Sequence, residues 1–344
     1  MLAIFAWDVG GRRNTSSNAS SGFESGSYLN LYCICIGLHS RPVRAYFTLL
    51  RLFYQVQMGP IFGWGFLLGG GSWASARGIW ISLAVFLLFH VGACGGATSL
   101  NSYYDQDSGP VGGLWKPPEV PRHLLIFAWA IQLGGLVLLV PFGFRLCAIY
   151  ALTLILSLGY SHPRLRWKAD PLKSLLVVCF GQGAFSFAMG ALTAQKISTS
   201  PLWEARYSGA QLSLTCGVLG VMSFVAAFYP LTQLFQIESD TRRGEQSLAS
   251  WLQGRFGRNS VFSWAAILFV LGGICNALAV RFSSLVGGVT LQLLFAVVAV
   301  VLLVLWRRAV PDQRNDFVQI HRLLRLSACG LGTYMAVQLI LAAH

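Results

Sequence analysis

Two groups of acidic and amide residues stand at the ends of long apolar runs, and side chains of this kind hold hard cations. The first group reads Asn101-Ser-Tyr-Tyr-Asp105, and its two oxygen-bearing ends are one helical turn apart, so they share a helix face. The second contains Gln233, Gln236 and Asp240, which also follow a helical spacing. Mg²⁺ prefers few carboxylates, several waters and a phosphate-bearing substrate. The two groups therefore predict a site for hard cations, Mg²⁺ above all, between two helix ends.

The elements that carry these groups are apolar helices, because the whole chain has the composition of a membrane protein. Of its 344 residues, 55% are hydrophobic and 11% charged, whereas about a quarter of a soluble domain is charged. A bilayer core needs about 20 apolar residues per helix. We therefore predict an all-α integral membrane protein, a bundle of about nine transmembrane helices. The predicted spans are residues 45–69, 78–99, 123–141, 143–160, 172–194, 212–235, 261–280, 282–306 and 326–343.

The basic residues predict the orientation of these spans. Nine spans place 19 of the 25 Lys and Arg residues on the side of the N-terminus and five on the other, with Arg51 inside the first span. By the positive-inside rule the N-terminus is cytoplasmic and the C-terminus is not. Residues 1–40 are predicted to be a mostly disordered cytoplasmic tail, since their Ser, Gly and Asn cannot bury enough apolar area to offset chain entropy. Residues 41–344 form the predicted nine-helix domain.

Charge and cysteine content argue against other classes of protein. The net charge is +13, but the basic residues lie scattered between apolar runs rather than in a stripe with aromatics, so we expect no nucleic-acid partner. Six of the eight Cys lie inside apolar runs, where they act as small hydrophobes, and we expect neither disulfides nor a zinc site. The expected surroundings are a lipid bilayer.

The acidic groups also have a simpler interpretation, because Asp and Asn commonly cap helices and solvate their ends. Two groups at matching depth, on the same side of an apolar bundle, favour a binding site instead, since polar groups at membrane depth are costly unless they serve a function. Arg51 is the only cation more than a few residues inside a predicted span, although a snorkelling Arg is an alternative. His90, alone on an apolar span, is interpreted as a packing residue.

From about Arg41 onward, the chain resembles the UbiA superfamily of intramembrane prenyltransferases. Members of that superfamily have nine helices and two aspartate-rich motifs at cytoplasmic helix ends. Three motifs carry the resemblance, in this order: Asn101-Ser-Tyr-Tyr-Asp105 with the tail Gly109-Pro-Val-Gly-Gly113, then Tyr160-Ser-His-Pro-Arg-Leu-Arg-Trp-Lys168, then Gln236-Ile-Glu-Ser-Asp240-Thr-Arg-Arg-Gly244.

The resemblance implies roles for particular residues. In this family the acidic motifs hold Mg²⁺ ions that bridge an isoprenyl diphosphate, and basic residues neutralise the departing diphosphate. Such charges lower the barrier to breaking an allylic C–O bond. The resemblance also implies that the helices surround a central cavity, dry and lined by aromatic residues, because water would quench the allylic cation. The implied metal ligands are Asn101, Asp105, Asp107, Gln236 and Asp240. The implied diphosphate-binding residues are Arg51, Lys168, Asn101 and Gln236, and the implied catalytic residues are Asp105, Asp240, Lys168 and Tyr160, the last also explicable as a membrane-interface Tyr.

The sequence departs from the family's pattern in two places. The first motif normally has an acid where this chain has Gly109, and the second begins with Gln236 in place of Asp. Gly109 and Pro110 should break the helix, which would let Asp107 turn toward the site. Fewer anionic ligands should weaken Mg²⁺ binding to the empty protein, so our hypothesis is that the metal arrives largely with the diphosphate.

Three functions follow from these observations. The leading prediction is Mg²⁺-dependent transfer of an isoprenyl group from its diphosphate to an aromatic or other nucleophilic, lipophilic acceptor. The alternative is a terpene cyclase that acts on the diphosphate alone, a reaction known among relatives on this scaffold. A transporter or scaffold that has lost the chemistry is a third, less favoured by polar residues that concentrate at helix ends rather than at the midplane.

Overall fold

A computed structural model describes residues 41–197, 208–283, 285 and 288–341, and over these ranges the chain is helical with no β-strand. The predictions for residues 1–40 lie outside the described residues. In chain order the helices are α1 (Arg41–Leu49), α2 (Leu52–Leu68), α3 (Ala76–Asp105), α4 (Leu124–Leu139), α5 (Phe144–Ser161), α6 (Pro171–Ile197), α7 (Ser208–Gln233), α8 (Ile237–Arg242), α9 (Leu248–Phe256), α10 (Asn259–Arg281), α11 (Gly288–Arg307) and α12 (Gln313–Leu341).

Seven of the described helical segments are long and apolar enough to cross a membrane. They are α3, α4, α5, α6, α10, α11 and the continuous segment formed by α7 and α8. The all-helical membrane class is therefore confirmed, whereas the exact count of nine is not. The predicted first span falls on α1 and α2, and the ninth falls on α12, which are not among the seven.

The predicted first span is divided at Arg51, which separates α1 from α2. This residue adopts a left-handed backbone conformation (φ 51°, ψ 47°), which costs a non-glycine residue about 1–3 kcal/mol and is most often kept at functional sites. The sequence did not predict this break, because the residues around Arg51 are largely apolar and none of them is typical of a left-handed turn.

Helices α2 and α6 pack unusually closely, and glycines allow it. A Cβ atom on Gly65 would lie 1.9 Å from the carbonyl oxygen of Phe187, and one on Gly190 would lie 1.9 Å from that of Phe62. Small residues at helix crossings let backbones approach and gain dispersion contacts, which drive helix association in lipid. This contact fixes α2, and hence Arg51 at its start, against the helix that follows the basic loop.

His90 supports the packing interpretation made from the sequence. Its ring is 2% exposed, lies 4.6 Å from the Phe86 ring, and pairs through Nε2 with the Ser186 hydroxyl at 3.2 Å. It lies in a π-helical part of α3, and Ser186 directly follows a π-helical part of α6. The wider turns of the two helices thus meet at the Nε2 atom of His90, whereas its Nδ1 atom is buried without a partner among the described residues.

Helix ends bring the polar motifs to one end of the fold. Helix α3 ends at Asp105, and Gln106 is left-handed (φ 50°). Helix α7 continues through a 3₁₀ turn into α8, which ends before Gly244 (φ 71°). The basic loop after α5 leads through a 3₁₀ turn at residues 167–169 to Asp170, whose carboxylate caps the start of α6.

Candidate active site

Lys168 joins the basic loop to the first acidic motif. Its ammonium group pairs with the Asp105 carboxylate and lies 3.7 Å from the Glu245 carboxylate. The three side chains are between 4% and 7% exposed. A cation so deeply buried needs such partners, because an unpaired buried charge is strongly unfavourable. The family resemblance implied Lys168, and its contact with Asp105 brings two of the three sequence motifs together.

Arg243 joins the two acidic motifs to each other. Its guanidinium donates to Asp107 at 2.5 Å and to Asp240 at 2.7 Å. Burial lowers the pKa of Arg243, but the hydrogen bond and charge of Asp107, together with the charges of Glu245 and Asp105, outweigh it, so the pKa lies above its ordinary value. The break after Asp105 does turn Asp107 toward the second motif. The carboxylates of Asp107 and Asp240 are therefore bridged by a single guanidinium group.

Glu245 is a member of the cluster that the sequence did not predict. Its carboxylate contacts Arg166, Lys168 and Arg243, the last at 3.6 Å. The chain reaches this position because Gly244 turns it back, and the Glu245 amide donates to the Asp240 carbonyl at 2.9 Å. The signal was the glycine that follows α8, since a positive φ there returns the next residue toward the helix end.

Arg51 faces the first motif from the break between α1 and α2. Its Nη2 donates to the Ser102 hydroxyl at 3.1 Å, while its buried Nε has no partner among the described residues. A Cβ atom on Gly112 would lie 2.9 Å from its Nη1. The glycine tail of the first motif therefore leaves room for a guanidinium that keeps unused donors.

The remaining predicted residues lie around this cluster without joining its ion pairs. Asn101 accepts a hydrogen bond from Ser161 at 3.5 Å, and Gln236 donates to the Pro110 carbonyl at 3.3 Å. The Tyr160 hydroxyl lies 3.4 Å from that of Tyr229. Their roles as ligands or catalysts stay predictions, because these contacts place them near the cluster but do not show what they bind.

The donor set suits a cation that is shared with a phosphate ligand rather than a closed metal site. Among the described residues, no group of three or more His, Cys, Asp or Glu side chains is arranged to hold a metal ion by itself. Asp105, Asp107 and Asp240 instead bring hard oxygen atoms to one end of the fold, with each carboxylate paired to Lys168 or Arg243. Mg²⁺ uses one or two protein carboxylates and completes its shell with waters and phosphates, so the set fits that ion.

An apolar, partly open cavity lies among α2, α6, α7, α10, α11 and α12, and its empty space, counted together with the space outside its opening, is about 900 Å³. Six aromatic side chains contribute to its wall, namely Tyr54, Phe224, Phe228, Tyr229, Phe269 and Phe295. Tyr229 also contacts Tyr160, and Tyr54 stands one helical turn after Arg51. The cavity therefore adjoins the charged cluster, and its wall can exclude water from a reaction that begins there.

Comparison with known proteins adds a family and a fold. The model of the UbiA prenyltransferase family matches residues 58–323, a range that contains all the predicted site residues except Arg51. A solved UbiA homologue from Archaeoglobus fulgidus, described as bound to GPP and Mg²⁺, is 14% identical with a TM-score of 0.60, covering 85% of this chain and 99% of that chain. A UbiA homologue from Aeropyrum pernix K1 is 18% identical, with a TM-score of 0.58 and coverage of 82% and 97%.

A third solved structure, described as a digeranylgeranylglyceryl phosphate synthase, is 15% identical with a TM-score of 0.57 and covers 88% of this chain and 99% of that chain. Curated protein sequences yield no match. The fold and the site define a multi-pass, all-helical integral membrane protein with an ion-pair cluster beside an aromatic cavity. The chain belongs to the UbiA prenyltransferase family.

Proposed function

We propose that this protein is a Mg²⁺-dependent intramembrane prenyltransferase, which transfers an isoprenyl group from its diphosphate to an aromatic or other nucleophilic acceptor. The observation that carries the proposal is the cluster in which Lys168 and Arg243 connect the carboxylates of Asp105, Asp107 and Asp240. This cluster lies beside a cavity with an aromatic wall. Family membership and relatives described with DMAPP or GPP and Mg²⁺ support it.

In the proposed reaction, the allylic C–O bond breaks and its electron pair leaves with the diphosphate. The acceptor supplies the pair for the new bond to the isoprenyl carbon and then loses a proton. Asn101, Asp105, Asp107, Gln236 and Asp240 would hold Mg²⁺, which when bound supplies positive charge to the leaving group. Lys168 and Arg51 bind the diphosphate and neutralise its developing charge, which preorganised cations do without further rearrangement.

The cluster's own ion pairs support one order of binding. Lys168 and Arg243 are paired with the carboxylates of Asp105, Asp107 and Asp240. A diphosphate offers these two cations new anionic partners, which frees carboxylate oxygens for Mg²⁺. This exchange supports the hypothesis that the metal arrives largely with the diphosphate. Tyr160 contacts Tyr229 of the cavity wall, and its role in the proposed reaction is to face the reacting carbon of the isoprenyl group.

Mass spectrometry of organic extracts tests the function. Detergent-purified protein is incubated with a panel of isoprenyl diphosphates, with and without Mg²⁺ and with and without aromatic acceptors. We expect prenylated acceptor only when Mg²⁺, diphosphate and acceptor are all present. A hydrocarbon or terpene alcohol formed without acceptor would identify a cyclase instead. No Mg²⁺-dependent product from any donor would overturn the proposal.

We further propose that the N-terminus and the charged cluster face the cytoplasm and that the C-terminus faces the opposite side. The uneven distribution of Lys and Arg between the loops supports this orientation. A reporter that is active only in the cytoplasm, fused after His344, is expected to be silent, and the same reporter fused before Met1 is expected to be active. The reverse pattern would contradict the orientation.

A further inference from the structure

Three glutamine side chains interrupt the apolar wall of the cavity. Gln57 lies on α2, Gln182 on α6 and Gln292 on α11. Gln57 is 7% exposed and Gln292 is 1% exposed. Both amide atoms of Gln57 and the Nε2 atom of Gln292 are buried without a hydrogen-bond partner among the described residues. The amides of Gln57 and Gln292 thus border the cavity and lack hydrogen-bond partners that a buried amide requires.

An unpartnered amide alone does not define a site, as another glutamine shows. Gln132 on α4 is fully buried, and both of its amide atoms also lack a partner, but it does not line the cavity. Gln57 and Gln292 differ from Gln132 because each borders the cavity, where a polar atom of a ligand could form the missing hydrogen bond with the amide. Gln132 is therefore a matched reference for the effect of removing an unpartnered amide from the bundle.

The charges of the cavity wall restrict the ligand. None of the residues that line it, within the described part of the chain, is Lys, Arg, His, Asp or Glu. A carboxylate bound there would lose its water without gaining a counter-ion, which is strongly unfavourable. A hydroxyl or carbonyl group, by contrast, exchanges hydrogen bonds with an amide at little net cost.

The position of Gln57 assigns it to the reacting end of the ligand. It follows Arg51 by six residues, which corresponds to about 9 Å along a helix. Gln292 lies 15 residues before the end of α11 at Arg307, or about 22 Å from that end. Gln313, six residues after that end, donates to the carbonyl of Phe235 beside the second motif, so the end of α11 lies on the side of the charged cluster. The two amides therefore lie at different depths, with Gln57 nearer the cluster and Gln292 further into the bundle.

We propose that the acceptor is an uncharged, lipophilic molecule whose hydroxyl or carbonyl oxygen hydrogen-bonds to Gln57, with Gln292 available to a second such group deeper in the cavity. This inference rests on the proposed transfer reaction and names its acceptor class. An acceptor that carries a carboxylate is disfavoured by the same wall.

Ligand binding without turnover is the first test. Three phenols are compared, 4-hydroxybenzyl alcohol, 4-hydroxybenzoate and 4-methylphenol, by the rise in melting temperature that each causes in detergent-purified protein without diphosphate or Mg²⁺. The alcohol is expected to raise the melting temperature most and the carboxylate least. Gln57→Leu should weaken the binding of all three phenols, and Gln292→Leu should remove the advantage of the alcohol over 4-methylphenol, whereas Gln132→Leu should change neither.

Turnover separates a failure of this inference from a failure of the function. With an isoprenyl diphosphate and Mg²⁺, kcat/KM for the alcohol is expected to exceed that for the carboxylate at least about tenfold, a difference of about 1.4 kcal/mol. Equal or better binding and use of the carboxylate would overturn the inference, as would equal effects of Gln57→Leu and Gln132→Leu. Selective binding of the alcohol without any prenylated product would instead uphold the cavity's selectivity and reject the transfer reaction.

Discussion

Replacing Asp240 by Asn is expected to lower Mg²⁺-dependent product formation by about 100-fold or more. The carboxylate is 9% exposed and shares Arg243 with Asp107, so it lies where both acidic motifs meet. Asn keeps the shape of the side chain but removes its negative charge, which weakens its hold on a divalent cation. Asp105→Asn, at the contact with Lys168, should have an effect of similar size. Initial rates at saturating isoprenyl diphosphate, over a series of Mg²⁺ concentrations, measure both.

Glu238→Gln provides the matched control for these substitutions. Glu238 belongs to the same motif as Asp240, but its side chain is 74% exposed and pairs with Arg242 along the helix surface. An exposed pair of this kind contributes little, so turnover should stay within about twofold of the unchanged protein. If Asp105→Asn and Asp240→Asn also retained full rates, the acidic motifs would not be the metal site. Calorimetry should likewise find weak Mg²⁺ binding without diphosphate, because Lys168 and Arg243 already occupy the carboxylates.

The part of the site that could be predicted from sequence is the part that rests on helical spacing and charge. Asn101 and Asp105 are one turn apart, and the acids lie at the ends of apolar runs, so their placement at one end of the bundle followed from membrane burial. A helix break in this segment was equally predictable, because Gly109 and Pro110 end helices, but the helix ends earlier than they require, at Asp105 with Gln106 left-handed. These are local properties, and local properties can be seen in a single chain.

The part that could not be predicted depends on how distant segments meet. Glu245 contacts three cations because Gly244 reverses the chain after α8, and its partners are up to 79 residues away. Arg166 and Arg243 belong to basic segments of the sequence, and the positive-inside rule was enough to explain the presence of these segments. Only the packing of the loops against each other shows that they hold carboxylates.

The number of spans was the weaker part of the fold prediction, for a physical reason. Hydropathy marks residues that can lie in lipid, and it marked residues 45–69 as one span. It cannot see that Arg51 adopts a left-handed conformation and divides this segment into α1 and α2. In the same way, apolar composition alone did not predict a cavity lined by aromatic side chains, since the same residues can fill a core or surround a space. That prediction came from the family resemblance.

The other large effect is expected at Lys168, where Lys168→Met should lower product formation by about 100-fold. Met matches the length of the aliphatic stem but supplies no charge to the departing diphosphate. Lys173→Met is the matched control, since Lys173 lies five residues further along the same basic segment with a side chain 60% exposed. Its loss should leave the rate nearly unchanged, and equal losses for the two lysines would point to general charge rather than to a specific site.

A loss of rate in Lys168→Met needs to be separated from a loss of folding. Removing this ammonium leaves the buried Asp105 carboxylate without its ion-pair partner, which should destabilise the protein by about 3–5 kcal/mol, whereas Glu245 keeps Arg166 and Arg243. The double variant Lys168→Met with Asp105→Asn removes one charge of each sign, so its melting temperature should recover toward that of the unchanged protein. Its activity should not recover, because both the cation for the diphosphate and a ligand for the metal are gone. A double variant that regained both stability and turnover would show that the Lys168–Asp105 pair serves the fold rather than the chemistry.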